Sequence, residues 1–518
     1  MARQAAAKDN YINTGLKTRR SEKREQTESG RLAAFIIDKI PKDYNVFEDH
    51  DINQVHLTHA IVETCGRYIR FCPQIGWLVY NDSEGRWTEK YAEAAVQRVI
   101  THFGNLLWEQ ASRATEGEVP FARKILSSDG IAAIKKILKC DTVIAVEQEK
   151  FDADPALVNS MGDYYNFRTG ETRRCEPEDM FSMCTKLKSN TLTRDKDGEW
   201  IFPAFGEDYE KFLTKVTSKD GEKRPDLAFF LMQYFGYCLT GETGASFFVN
   251  FHGQGKNGKS VLLNLMLELF GDYGIALPKD IVIENRFQSQ FDLQCLPGKR
   301  LGVLIDAPEG RLNMDQLKTV IDGGAMNAKR KHLKDVDFRS VCKIAVGSNP
   351  KLTLKDTGMA IRRRIRMVPF DYTVSDKEDD PNLAKKLFKK EGPQILAQLI
   401  YFARQYYKNG EGPGAFPKCQ VIDEASEEYM ESEDLVGRWV KERTEPVKGN
   451  LECTSDLYDD FERWAKDKEK VRKVMGQNKF SEHLHRNVKK KRIGSIWYYE
   501  DIKLKYPVNP PLPDKGGG

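Results

Sequence analysis

The segment Gly253-Gln254-Gly255-Lys256-Asn257-Gly258-Lys259-Ser260 constrains this chain more than any other stretch. It follows the apolar run FFVNF (247–251) and opens the helical pattern SVLLNLMLELF. A turn of the form GxxxxGK[ST] between a buried strand and a helix lets backbone N–H groups converge on phosphate oxygens, and the helix N-terminus adds a favourable dipole. The context therefore predicts an α/β unit with a phosphate site at its strand ends. Gly253, Gly255, Asn257 and Gly258 are the expected cradle, Lys259 the charge for the β- and γ-phosphates, and Ser260 the hydroxyl for Mg2+. A glycine turn with an incidental lysine is the plain alternative, and a strand before with a helix after weighs against it.

Two further apolar runs, RLGVLID (300–306) and CKIAVGSN (342–349), read as buried parallel strands. Asp306 ends the first, where a carboxylate can join the Mg2+ shell, and Glu309 follows as the candidate base for an attacking water. The plain alternative for Glu309 is a solvated turn residue. Asn349 ends the second run and is placed to hydrogen-bond a γ-phosphate or the water. In the arginine run at 360–366, Arg363 and Arg364 are candidates to reach a neighbouring subunit's nucleotide. Alone, that run would read as a surface patch.

Composition narrows the remainder. Lys and Arg total 81 against 77 Asp and Glu, a net charge of +4, which in sum argues against a nucleic-acid binder. The basic residues cluster, however, in the N-terminal arm, near 329–334, at 362–366 and towards the C-terminus. The longest apolar run, Leu227 to Leu239, is interrupted by Gln233 and Gly236, so no membrane span is expected. No hydrophobic leader opens the chain. Ten cysteines without a CxxC pair and eight histidines without HExxH give no metal motif.

The expected organisation is multidomain. A basic flexible arm (1–31) precedes an α+β N-terminal domain (32–205), with a hairpin at 67–87, helices at 91–112 and 121–138, and short strands after 150. A helical collar (206–245) leads into the α/β core (246–375). A helical lid and linker (376–430) follows, helical from Asp371 through Tyr407, then a helix-and-hairpin unit (431–506) and a flexible tail (507–518).

GQGKNGKS, KRLGVLIDAPEGRLNMDQLKTVIDGG, GSNPKL and AIRRRIRMVPF, in that order, resemble the motifs of superfamily 3 helicases of the AAA+ class, nearest to the phage/plasmid and poxvirus-type primase–helicase family. GWLVYNDSEGRW and the FRTGE turn (167–171) resemble that family's N-terminal domain, and the C-terminal unit its winged-helix tail. Two departures stand out: Ala325 follows Gly323-Gly324 where the family has an acidic residue, and Arg362 stands where it has Trp. The resemblance implies a P-loop AAA+ core using ATP and Mg2+, with Asn349 as sensor and Arg363 or Arg364 as arginine finger. It also implies a homohexameric ring on single-stranded and forked DNA, in the host cytoplasm, with a separate primase or initiation partner. A fused primase domain is not expected, since folded sequence begins near Leu32.

Within this family likeness, a pore hairpin falls near 327–335. Lys331 and His332 would form its tip, with Lys329, Arg330 and Lys334 in support; a solvated basic loop is the plain alternative. Lys489, Lys490, Lys491 and Arg492, before IGSIWYY, are expected to meet duplex phosphates, while Trp464, Trp497 and Tyr498 read as core. The implied function is an ATP-dependent replicative DNA helicase of a phage, plasmid or mobile element. An ATP-regulated replication initiator or origin-binding protein is the alternative. A P-loop kinase or metabolic ATPase is disfavoured, because it needs neither the basic segment nor the arginine run.

Overall fold

A computed structural model describes residues 27–46, 53–114, 119–285, 290–328, 336–469, 474–485 and 488–506. Helices α1 (Glu28–Ile37) and α2 (Gln54–Cys65) precede a meander of β1 (Ile69–Cys72), β2 (Gly76–Asn81) and β3 (Arg86–Thr88), then α3 (Ala92–Ala114), α4 (Val119–Ile125) and α5 (Ser128–Leu138). The β2–β3 turn closes with Gly85 N–H donating to the Asn81 carbonyl, and Gly85 sits at φ 63°. The single helix expected over 121–138 is two helices. The Ser127 hydroxyl accepts from Gly130 N–H and caps α5, and a Cβ at Gly130 would lie 2.2 Å from the Lys124 carbonyl oxygen. Leu57, Ile61, Val96, Phe103 and Ile134 share one core.

A second meander, β4 (Leu157–Ser160), β5 (Asp163–Asn166) and β6 (Thr172–Arg174), leads to α6 (Glu207–Val216) and α7 (Pro225–Leu239). Pro225 opens α7, where a missing N–H costs nothing. The central sheet follows. Its elements in chain order are β7 (Phe248–His252), α8 (Lys259–Phe270), β8 (Gly274–Ala276), α9 (Lys279–Val282), β9 (Leu301–Ala307), α10 (Met314–Ile321), β10 (Ala325–Ala328), β11 (Val336–Arg339), β12 (Lys343–Ser348), α11 (Met359–Arg362) and β13 (Ile365–Pro369). Five strands lie in the order β13-β7-β12-β9-β8, and every pairing is parallel.

The three apolar runs are the three central strands. Their side chains alternate between two cores: Val249 and Phe251 pack towards α8 and α7, while Phe248, Ile344 and Val346 face α10. β13 falls within the arginine segment, and its strand character comes from parallel pairing with β7 rather than from an apolar run. β10 and β11 form a separate antiparallel pair, with Met326 opposite Phe338.

The helix expected from Asp371 begins only at Leu383, as α12 (Leu383–Lys408). Residues 371–382 form an irregular strap with turns instead. Pro381 disfavours helix at Asp380, and Val374 N–H is held by the Lys256 carbonyl. α13 (Gln420–Glu433) packs against β13 and sends Tyr429 and Met430 into the core beneath the sheet.

The last unit runs α14 (Leu435–Arg443), β14 (Thr444–Cys453), α15 (Thr454–Asp467), α16 (Gln477–His485), β15 (Lys490–Ile493) and β16 (Ile496–Leu504). Its antiparallel sheet has the order β14-β16-β15, over a core of Trp439, Phe461, Phe480 and Tyr499. Buried Asp460 accepts from Trp439 Nε1 (2.8 Å) and Arg443 Nε (3.0 Å). Trp464 is core, as expected. Trp497 is not: it is 44% exposed, because it lies opposite Arg492, one pair from the hairpin tip and past the end of the core. Tyr498 is half-buried. No helix among the described residues is long and apolar enough to cross a membrane.

Candidate functional site

The loop from β7 to α8 is shaped by its glycines. Gly258 sits at φ 85°, and a Cβ there would lie 2.4 Å from Val216 Cγ1. A Cβ at Gly253 would lie 2.4 Å from the Phe370 carbonyl oxygen. Only glycine fits both places. Lys259 opens α8, and its ammonium donates to the Gly253 carbonyl (2.6 Å), Asn257 Oδ1 (3.0 Å) and Asn349 Oδ1 (3.0 Å). Burial pulls its pKa down to about 8, against a smaller upward pull from the Asp306 carboxylate.

Lys259, Ser260, Asp306 and Asn349 meet with Gly255, Asn257 and Gly258 on one cavity of about 580 Å³. The topology explains the meeting. β7, β9 and β12 are adjacent parallel strands, so residues at or just past their C-terminal ends fall on one edge of the sheet.

Other expected residues lie elsewhere. Gly253 reaches the site only through its carbonyl. Glu309 is exposed beyond the end of β9 and does not line the cavity. The arginine pair is split. Arg364 is buried, with Nη2 2.6 Å from Asp322 Oδ2 and Nη1 donating to the Ala360 carbonyl, so it braces its own subunit. Of the two finger candidates, Arg364 is thus the one held inward by Asp322. Arg363, next in the chain, is exposed. Lys329, Arg330, Lys331, His332 and Lys334 lie outside the described residues. Lys489, Lys491 and Arg492 are exposed and Lys490 half-buried, with Lys491 Nζ 3.3 Å from Glu500.

The sequence reading missed the opposite wall of the cavity. Phe212 and Val216 of α6 and Leu383 and Leu387 of α12 give it an apolar side, and Lys211 and Lys215 add charge at its rim. The strap closes over it through ion pairs: Lys256–Asp376 (2.7 Å), Lys215–Glu378 (2.6 Å) and Lys386–Asp380 (2.6 Å). In sequence, the acidic run SDKEDD reads as part of a helix. Its partners become visible once α6 is folded against the loop.

Residues 58–219 match the family described as D5 N terminal like, and residues 251–364 match a family of unknown function, DUF5906. A provisionally named helicase of Acanthamoeba polyphaga mimivirus is 23% identical over 344 residues, which is 61% of this chain and 33% of that protein. A provisionally named primase of African swine fever virus is 24% identical over 207 residues, 37% of this chain and 22% of that protein. The chain thus spans well under half the length of either relative. The D5 N-terminal-like match falls within the N-terminal half of this chain, and both relatives are viral proteins. The apo structure of the NrS-1 C-terminal region aligns over 88% of this chain and 100% of its own, with a TM-score of 0.47 and 10% identity.

Proposed function

We propose that this chain is a subunit of an ATP-dependent DNA helicase of the superfamily 3 AAA+ type, serving replication of a virus, phage or other mobile element in the host cytoplasm. One observation carries the reading: Lys259, Ser260, Asp306 and Asn349 share a cavity at the C-terminal edge of a parallel sheet, beneath a loop whose Gly253 and Gly258 leave no room for a Cβ. ATP suits that cavity. The loop and Lys259 take the phosphates, and the apolar side formed by Phe212, Val216, Leu383 and Leu387 takes the base. Ser260 and Asp306 offer the hard oxygen ligands that Mg2+ prefers, and the ion would draw charge from the β- and γ-phosphates.

In this reading Asn349 orients the γ-phosphate or the water. Its hydrogen bond to Lys259 positions the ammonium before substrate arrives. Glu309 serves as base only if a neighbouring subunit or a loop movement brings it to the cavity. Arg363 acts in trans across a ring interface, which favours a homo-oligomer, hexameric by family likeness. The pore segment 329–334 grips single-stranded DNA, and the C-terminal unit acts as a winged helix. Its order of helix, strand, helix, helix and hairpin supports that role. A separate primase or replication-initiation protein is its partner in this reading.

The test is strand separation on a forked duplex, together with particle images to count subunits. Wild-type chain with ATP and Mg2+ is expected to unwind the fork as a ring, and Lys259→Ala to form the ring without unwinding. Unwinding by Lys259→Ala at the wild-type rate sinks the proposal.

A further inference from the structure

A groove of about 530 Å³ between α7 and α12 shares no lining residue with the ATP cavity. Phe229 and Gln233 of α7 stand four residues apart on one helix face, as do Tyr401 and Gln405 of α12. Phe205, from the segment before α6, and Phe416, from the link after α12, complete the walls. The two helices touch at Gly236, where a Cβ would lie 2.4 Å from Phe402 Cβ. Phe229 is 50% exposed, although its ring packs edge-on against Phe402 at 5.2 Å.

The groove also holds an unmet acceptor. Gln233 is 2% exposed, and its Nε2 donates to the Ala415 carbonyl at 2.7 Å, whereas its Oε1 has no hydrogen-bond partner among the described residues. A buried acceptor in this state calls for a donor from an occupant. The groove therefore presents aromatic rings, one amide oxygen in need of an N–H, and donors on Tyr401 and Gln405. An apolar helix pairs its own N–H and carbonyl groups and would offer Gln233 nothing. A polyproline II strand suits the groove better: its apolar rings pack on aromatic faces, and its carbonyls are free to accept.

The chain carries such a segment. After Tyr506, outside the described residues, it reads Pro507-Val508-Asn509-Pro510-Pro511-Leu512-Pro513. At three residues per turn, Pro507, Pro510 and Pro513 fall on one edge and Val508 and Pro511 on a second, over a length of about 19 Å. The fixed φ of proline leaves little freedom to lose on docking. We infer that residues 507–513 dock in this groove as a polyproline II strand. The two apolar edges pack on Phe205, Phe229 and Phe416, Tyr401 and Gln405 donate to the strand's carbonyls, and an N–H of Val508, Asn509 or Leu512 meets Gln233 Oε1. A proline-rich segment of another protein is the rival occupant. The chain's own segment is favoured because it is always present at the groove's concentration, and at a higher one within an oligomer. The inference depends on neither the ATP site nor the helicase reading.

The experiment is fluorescence anisotropy of a labelled peptide of residues 505–515 with the full chain, without nucleotide. Two chains are compared: wild type, and one with Pro507, Pro510, Pro511 and Pro513 changed to Ala so that its own segment no longer competes. The substituted chain is expected to bind the peptide, and the wild type to bind it several-fold more weakly. Adding Phe229→Ala to the substituted chain should weaken binding about tenfold, as loss of an aromatic anchor does. Phe205→Ala is the second variant should Phe229→Ala fail to fold. On the peptide, Pro510→Ala should remove most of the affinity, while Asn509→Ala, on the third edge and with its N–H intact, should bind like the unsubstituted peptide. Absence of peptide binding, unchanged affinity in a folded Phe229→Ala or Phe205→Ala chain, or equal binding of the Pro510→Ala and unsubstituted peptides overturns the inference. So does equal binding by the wild-type and substituted chains, which would give the groove to another protein's segment. No readout here involves ATP or DNA, so failure of this site would leave the proposed function standing, and loss of the helicase reading would leave this site standing.

Discussion

Lys259 is buried with three oxygen acceptors, and its burial, opposed only in part by the Asp306 carboxylate, brings its pKa down to about 8. The sign of the pH effect follows. As pH rises through about 8, the folded protein loses this proton while the unfolded chain keeps it, so stability of the bare protein gains on the alkaline side. Nucleotide affinity moves the other way. A bound triphosphate raises the lysine's pKa, so binding takes up a proton above pH 8, and affinity should fall by up to about tenfold per pH unit. Calorimetric titration of an unhydrolysed ATP analogue between pH 7 and 9.5 checks this; flat affinity across that range would mean the ammonium does not meet the phosphates. The arginine pair gives a second contrast. Arg364→Ala leaves Asp322 facing a buried gap and is expected to cost about 3 kcal/mol in thermal or urea unfolding. Arg363→Ala, at an exposed position, should stay within about 0.5 kcal/mol while lowering hydrolysis.

The β7–α8 connection depends on its backbone shape as much as on Lys259. Gly258→Ala must hold φ near 85° against a cost of about 1–2 kcal/mol and push Val216 aside as well. The variant is expected to lose nucleotide binding while the far-ultraviolet spectrum is retained, and full binding by it would show that the loop has a different working shape. This element was legible in the sequence because strand, glycine turn and helix are contiguous. Asp306 and Asn349 were legible because each ends an apolar run, and parallel strands align their ends. What was not legible depends on distance in the chain. The apolar wall from Phe212 and Val216 joins Leu383 and Leu387 from α12 only after folding. The strap at 371–382 was read as helix, since its ion pairs to Lys215 and Lys256 are invisible to local pattern. Arg363 and Arg364 looked interchangeable until Asp322 separated them. Trp497 read as core because an apolar strand run does not say where the hairpin outgrows its core.

Across the described residues of the molecule, four main cores divide the work that the proposal assigns. The N-terminal helices and meander enclose one, the parallel sheet carries cores on both its faces, and the C-terminal unit has its own around Trp439. The net charge of +4 hides this division, because basic stretches at the arginine segment and the C-terminal hairpin are offset by acidic ones such as the strap. In the proposed function, energy use falls to the sheet edge and DNA contact to other parts, so the two should be coupled. The most direct measurement is phosphate release from ATP by the full chain with Mg2+, with and without single-stranded DNA, in wild type and Lys259→Ala. The account predicts hydrolysis that single-stranded DNA accelerates in the wild type, and a loss of about a hundredfold or more in Lys259→Ala. Hydrolysis by Lys259→Ala at the wild-type rate would contradict it.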